Sequence, residues 1–129
     1  MATWEQLKDF VKSSYKIQKE EEDYFIMVFD LANNRSQLVT VGKNHTQNGD
    51  VWVQICSPVG VIRQDKLNNA LEDIQNAICG GLVKAGDSHF VRHCMLIEDM
   101  SADEFSVPLI LITAIADTLE EKYVGGDIN

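Results

Sequence analysis

Residues 48–58 read Asn48-Gly49-Asp50-Val51-Trp52-Val53-Gln54-Ile55-Cys56-Ser57-Pro58. Asn48-Gly49 is a strong hairpin signal, since both residues suit the positive φ of a type I′ turn. From Val51 onward the side chains alternate, and a strand has a period of two. Val51, Val53 and Ile55 therefore share one face, and Trp52, Gln54 and Cys56 the other. Pro58 has no amide hydrogen and is expected to end the strand's ladder. A hairpin entering an alternating strand implies an antiparallel partner immediately upstream. Ser36 to Val41 is the candidate.

Further upstream, Tyr24 to Leu31 is apolar on both faces, with Phe25, Met27 and Phe29 alternating with Tyr24, Ile26 and Val28. That pattern predicts a strand covered on both sides. Asn33-Asn34 supplies the turn that follows, because Asn tolerates the left-handed conformation. Ahead of it, Thr3-Trp4-Glu5-Gln6 matches a capping box. Trp4, Leu7, Phe10 and Val11 then recur at helical spacing, predicting a helix from residue 3 to 15 or 18. The run Glu20-Glu21-Glu22-Asp23 reads as a hydrated connector.

Downstream, Asp65 is placed to cap a second helix whose face carries Leu67, Ala70, Leu71, Ile74, Ala77 and Ile78, with Gly80-Gly81 stopping it. A second hairpin runs from Leu82 to Ala85, turns at Gly86-Asp87 and returns from Ser88 to Ile97. Ser101-Ala102-Asp103-Glu104 is another capping box. Because proline is disfavoured inside a helix, a short turn at 101–105 is expected, with the long helix starting near Ser106 or Val107 and Pro108 in its first turn. From Val107 to Ala116 only Pro108 and Thr113 interrupt the apolar sequence, which implies a helix buried all round or packed on a second subunit. The predicted fold is α+β, an antiparallel sheet with helices in the order α-β-β-β-α-β-β-α, forming one domain over residues 1–129.

The chain has 129 residues, of which 45% are hydrophobic and 24% charged, with a formal charge of −9. These values suit one globular domain and exclude a disordered tail. No apolar run reaches the roughly 18 residues needed to cross a bilayer, and the segment from Met1 to Phe10 has no signal-peptide core. Residues 1–64 hold 7 basic and 8 acidic side chains, whereas residues 65–129 hold 4 and 12. Phosphate-backbone binding draws on clustered Lys and Arg, so nucleic acid and anionic membrane are poor partners. An acidic surface suits solubility or a basic protein partner. Cys56, Cys79 and Cys94 are odd in number and unpaired in sequence, which argues for core filling in a reducing, cytoplasmic setting.

No catalytic motif emerges. His89 and His93 have the spacing of two metal ligands on a helix, but their segment reads as strand, where four residues separate side chains by about 13 Å. Cys94 adjoins His93, yet adjacent strand residues point to opposite faces. Gly42-Lys43 lacks the rest of a phosphate loop, and residues 30–35 lack the sixth-position glycine of a calcium loop. Asn34-Arg35-Ser36 and Asn44-His45-Thr46 are glycosylation sequons by pattern only. Asp117 and Glu120-Glu121 read as a solvated helix end, pairing weakly with Lys122. Trp52 anchors a partner if its face is open and belongs to the core if a helix covers it. Trp4 poses the same choice.

The order of elements over residues 3–123 resembles the type III secretion chaperone-like fold, in particular its YbjN-like branch. So do Trp52-x-x-Ile55-x-Ser57-Pro58, Phe90-Val91-Arg92, Ser101-Ala102-Asp103-Glu104-Phe105 and Ala116-Asp117-x-Leu119-Glu120. The resemblance implies a small acidic cytosolic protein, a homodimer, binding a protein client and carrying no catalytic residues or cofactor. It also implies a dimer interface on the second helix, at Leu71, Ile74 and Ile78. The expectation is a non-catalytic, chaperone-like or adaptor module whose partner-binding or dimer residues are Trp4, Trp52, Leu71, Ile74 and Ile78. The rival is a small-molecule or metal-responsive sensor or enzyme with a pocket near His89, His93 and Cys94.

Overall fold

A computed structural model describes residues 1 and 3–125. It is an α+β fold: helix α1 (Trp4–Ser14), strands β1 (Lys19–Glu20), β2 (Tyr24–Asp30), β3 (Ser36–His45) and β4 (Val51–Gly60), helix α2 (Leu67–Ile74), strands β5 (Gly81–Ala85) and β6 (Ser88–Leu96), and helix α3 (Ala102–Tyr123). The six strands form one antiparallel sheet in the order β1-β2-β3-β4-β6-β5. The predicted order holds, with one addition. The acidic run is not all connector, because Lys19–Glu20 pairs with Ile26 and Phe25 as a two-residue edge strand.

All three helices supply the core from one side of the sheet. Trp4, Leu7 and Val11 of α1 are buried, and Trp4 stacks on Phe25 at 5.6 Å between ring centroids. Phe105, Leu109, Ile112, Ala116 and Leu119 of α3 are buried as well. They face a sheet layer of Phe25, Met27, Val39, Val41, Val53, Ile55, Val59 and Val91. Both capping boxes form as read, Thr3 with Gln6 and Ser101 with Glu104.

The second box fixes the start of α3 at Ala102 and corrects the expected break. The helix runs through Pro108 without interruption. Phe105 and Leu109 lie one turn apart and are both fully buried, so a continuous helix places both in the core. Burying two large apolar groups offsets the roughly 3 kcal/mol that an internal proline costs. Pro58 likewise lies inside its strand. It pairs with Phe90 of β6, while the last β3–β4 pair is Thr40 with Cys56. On the β3 side the Gln37 side chain donates to the Pro58 carbonyl at 2.7 Å, so the missing amide hydrogen faces a ladder that has already stopped.

Two further expectations are corrected. Only Gly49 of the Asn48-Gly49 pair has positive φ, and its amide closes a turn on the Thr46 carbonyl. The hairpin loop therefore spans residues 46–50, and β3 extends to His45. Asp65 does not cap α2. It sits in a 3-10 turn (Gln64–Lys66) and pairs with Arg63 at 2.9 Å. Helix α2 ends at Ile74, leaving Ala77 and Ile78 in the turns that lead to Gly80. By contrast Gly86-Asp87 joins Ala85 to Ser88 as read, with Gly86 at φ +60°.

Candidate interaction surfaces

Among the described residues no helix lies over the outer face of the sheet, so the uncovered face presents Trp52. Alternation that buries Val53, Ile55, Ser57 and Val59 leaves Trp52, Gln54, Cys56 and Pro58 partly exposed on the other side. Register extends this face across the sheet. Val28 pairs with Leu38, Pro58 with Phe90, and Phe90 with Val83. Since Thr40 faces Cys56, Leu38 falls opposite Pro58 two residues on. The result is an apolar row, Val28, Leu38, Pro58, Phe90 and Val83, crossing five strands. A second row runs Lys19, Ile26, Thr40, Cys56, Arg92 and Gly81. Trp52 stands between Asn44 and Leu96 in the row at the far end. Its indole Nε1 is shielded from water and has no acceptor among the described residues.

The helical side has its own exposed apolar groups. Ile78 is 93% exposed, Ile110 57%, Val107 53% and Leu71 44%. Of the two expectations for α3, burial all round within the chain is corrected, and packing on a second subunit is left open. The inner stripe of the helix is buried, while Val107 and Ile110 point outward. Between α2 and α3 lies a cleft of about 360 Å³, lined by Ile74, Ala77, Ala114, Ile115 and Leu119 and edged by Asp73 and Lys122. Leu71 and Ile78 thus stand at the surface and Ile74 in the cleft wall. Trp4 behaves differently. It is 5% exposed and its Nε1 donates to the Glu22 carbonyl at 2.9 Å. Its place in the core removes it as a partner-binding residue.

The structure does not bring His89, His93 and Cys94 together. His89 is buried on the inner face, its Nδ1 accepting from the Ile62 amide at 3.2 Å. His93 shares that face four residues on, and burial holds its pKa below the usual imidazole value. Cys94 is exposed on the opposite face, beside Gln54. Cys56 and Cys79 are half-buried. Desolvation pushes both thiols up, with Arg92 partly opposing the shift at Cys56. Among the described residues no three His, Cys, Asp or Glu side chains gather into a group able to hold a metal ion, and no helix is long and apolar enough to cross a membrane.

Two charge clusters were not visible in the sequence. Arg35, in the β2–β3 connection, donates from Nε to Asp117 at 2.9 Å and from Nη2 to Glu120 at 3.0 Å. Glu121 lies within 3.6 Å of the same guanidinium. The bond to Asp117 raises the arginine pKa further. Glu120 is fully buried, so the solvated helix end expected there is corrected. Separations of 82 and 85 residues hide this cluster from any local pattern. Asp73 of α2 accepts from Lys122 at 2.7 Å and from the Tyr123 hydroxyl, tying α2 to the end of α3. The Lys122 bond, then the Tyr123 bond, holds the Asp73 carboxyl below its usual pKa. Lys122 therefore pairs across helices rather than with Glu120 or Glu121. No protein-family model matches this chain, and neither does any curated protein sequence.

Proposed function

We propose that this chain is a non-catalytic protein-binding module of the type III secretion chaperone-like kind, in its YbjN-like branch. It works as a cytoplasmic homodimer and takes an apolar segment of a client protein into the cleft between α2 and α3. The observation that carries this reading is the cleft itself, with Ile115, Ile74 and Leu119 in its walls and Ile78 standing almost wholly in solvent beside it. Monomeric proteins seldom leave such groups grouped at the surface without a use. Asp73 and Lys122 pair at 2.7 Å on the rim of the cleft, and residues 65–129 as a whole are strongly acidic. A client segment with leucine-like side chains flanked by Lys or Arg is the complementary ligand.

Fluorescence anisotropy with apolar peptides carrying basic or acidic flanks tests this. The basic-flanked peptide binds the wild-type chain, and Ile78→Asp with Ile115→Asp weakens it at least tenfold. Absence of binding at high micromolar concentration, or indifference to both substitutions, overturns the reading.

A further inference from the structure

We propose that the uncovered face of the sheet is where a second copy of this chain packs, face to face, to form a two-layered β-sandwich. This rests on the reading of the chain as a homodimer and names the surface that builds it, which is not the α2 face.

Charge is the first argument. The chain carries −9, so two copies repel over most of their surfaces. Among the described residues the outward positions of the six strands hold only Lys19, Asp30 and Arg92 as charged side chains. Here two copies approach without facing carboxylate against carboxylate. Arg92 is exposed, and Gly81, opposite it on the edge strand, has no side chain to bar its way. Its aliphatic stem can lie flat while its guanidinium reaches water at the sheet margin.

Size is the second argument. Five strands spaced by about 4.8 Å, with four outward positions each about 6.7 Å apart, make a face of about 24 by 27 Å. Two such faces bury roughly 1,300 Å², inside the range of specific, stable interfaces and above that of most crystal contacts. The apolar row from Val28 to Val83 gives the interface a dry line across five strands, one row from the end of the face marked by Asp30 and Ser36. Trp52 and Leu96 add a second apolar spot at the far end of the face, beyond the rows of Thr40, Cys56 and Arg92 and of Gly42, Gln54 and Cys94.

Sedimentation equilibrium of the full chain tests the proposal. Wild type is dimeric at micromolar concentration. Val28→Glu with Leu96→Glu, both at exposed outward positions, raises the dissociation constant at least 100-fold with unchanged circular dichroism. Ile78→Asp with Ile115→Asp leaves the dimer intact. A strictly monomeric wild type, or a dimer broken by the helical pair and spared by the sheet pair, overturns the proposal. Should the sheet variant misfold, maleimide labelling of Cys94 in the wild type decides. Protection above the dissociation constant and rapid labelling on dilution support the proposal, and equal rates at both concentrations overturn it. The peptide assay above reads the α2–α3 cleft alone, so either proposal can fail without the other. A monomer that loses its client through the sheet pair transfers the outer face to that client and overturns both.

Discussion

The two faces of this one sheet are built by the same strands and differ in everything but backbone. On the inner face Phe25, Val39, Val41, Val53, Ile55 and Val91 are shut off from water completely. On the outer face their immediate neighbours Ile26, Leu38, Trp52 and Phe90 are only half covered, chiefly by one another. Sequence hydrophobicity barely distinguishes the two sets. What separates them is which side the helices take, and that is a property of α1 and α3 rather than of the strands. An apolar outer face on an antiparallel sheet is unusual, because such sheets commonly turn polar residues to water.

The sharpest way to break this comparison is to make the same truncation on both faces. Ile55→Ala, on the inner face, costs about 4 kcal/mol by urea denaturation, because it opens a cavity against α3. Ile26→Ala, on the outer face, costs about 1 kcal/mol when measured at dilution below dimer formation. Equal costs would mean the faces are energetically alike. Next in size, Arg35→Ala costs about 3 kcal/mol, since it leaves the buried Glu120 carboxylate without its guanidinium. Adjacent glycines give a smaller, cleaner contrast. At Gly80, φ is +88° and an added Cβ would fall 2.4 Å from Ile112 Cδ1, so Gly80→Ala costs about 2 kcal/mol. At Gly81 an added Cβ meets nothing within 4 Å, and Gly81→Ala changes stability by less than about 0.5 kcal/mol.

The smallest effect concerns pH. Asp73 has a lowered carboxyl pKa through Lys122 and Tyr123, so its contribution is present above the ordinary carboxylate pKa. It disappears as pH falls through the lowered value, below about 4. Thermal melts of the wild type thus drop on acidification through this window. Asp73→Asn melts lower at neutral pH and drops less. An unchanged slope in the variant would show that the α2–α3 tie is idle.

Local patterns carried most of the architecture. Thr3 and Ser101 announced their helices, Gly86-Asp87 its hairpin, and the alternation from Val51 its strand, since each is decided within a few residues. Where a distant group wins, the pattern misleads. Pro108 signalled a break, but Phe105 and Leu109 both need the core, and only a continuous helix supplies it. Continuous apolarity in α3 signalled burial all round or packing on a second subunit, and within the chain a helix on one face of a sheet buries one stripe. Tyr24–Asp30, apolar on both sides, signalled a strand covered twice, and it is covered once. Of the expected partner residues, Trp4 is in the core, whereas Trp52, Leu71 and Ile78 reach the surface and Ile74 lines the cleft. No sequence rule distinguished Trp4 from Trp52, because each fits the apolar period of its own element and neither pattern says which face is covered. The Arg35 cluster was invisible because its members meet only across most of the chain.

That last cluster bears on how the polypeptide acquires its shape as it is made. The guanidinium that pins the β2–β3 connection waits for acids more than eighty positions later. During synthesis the β2–β3 hairpin therefore emerges with its corner unlatched, and it is secured only when α3 leaves the ribosome. Until then α1 covers its share of the inner face, and the part that α3 buries stays open.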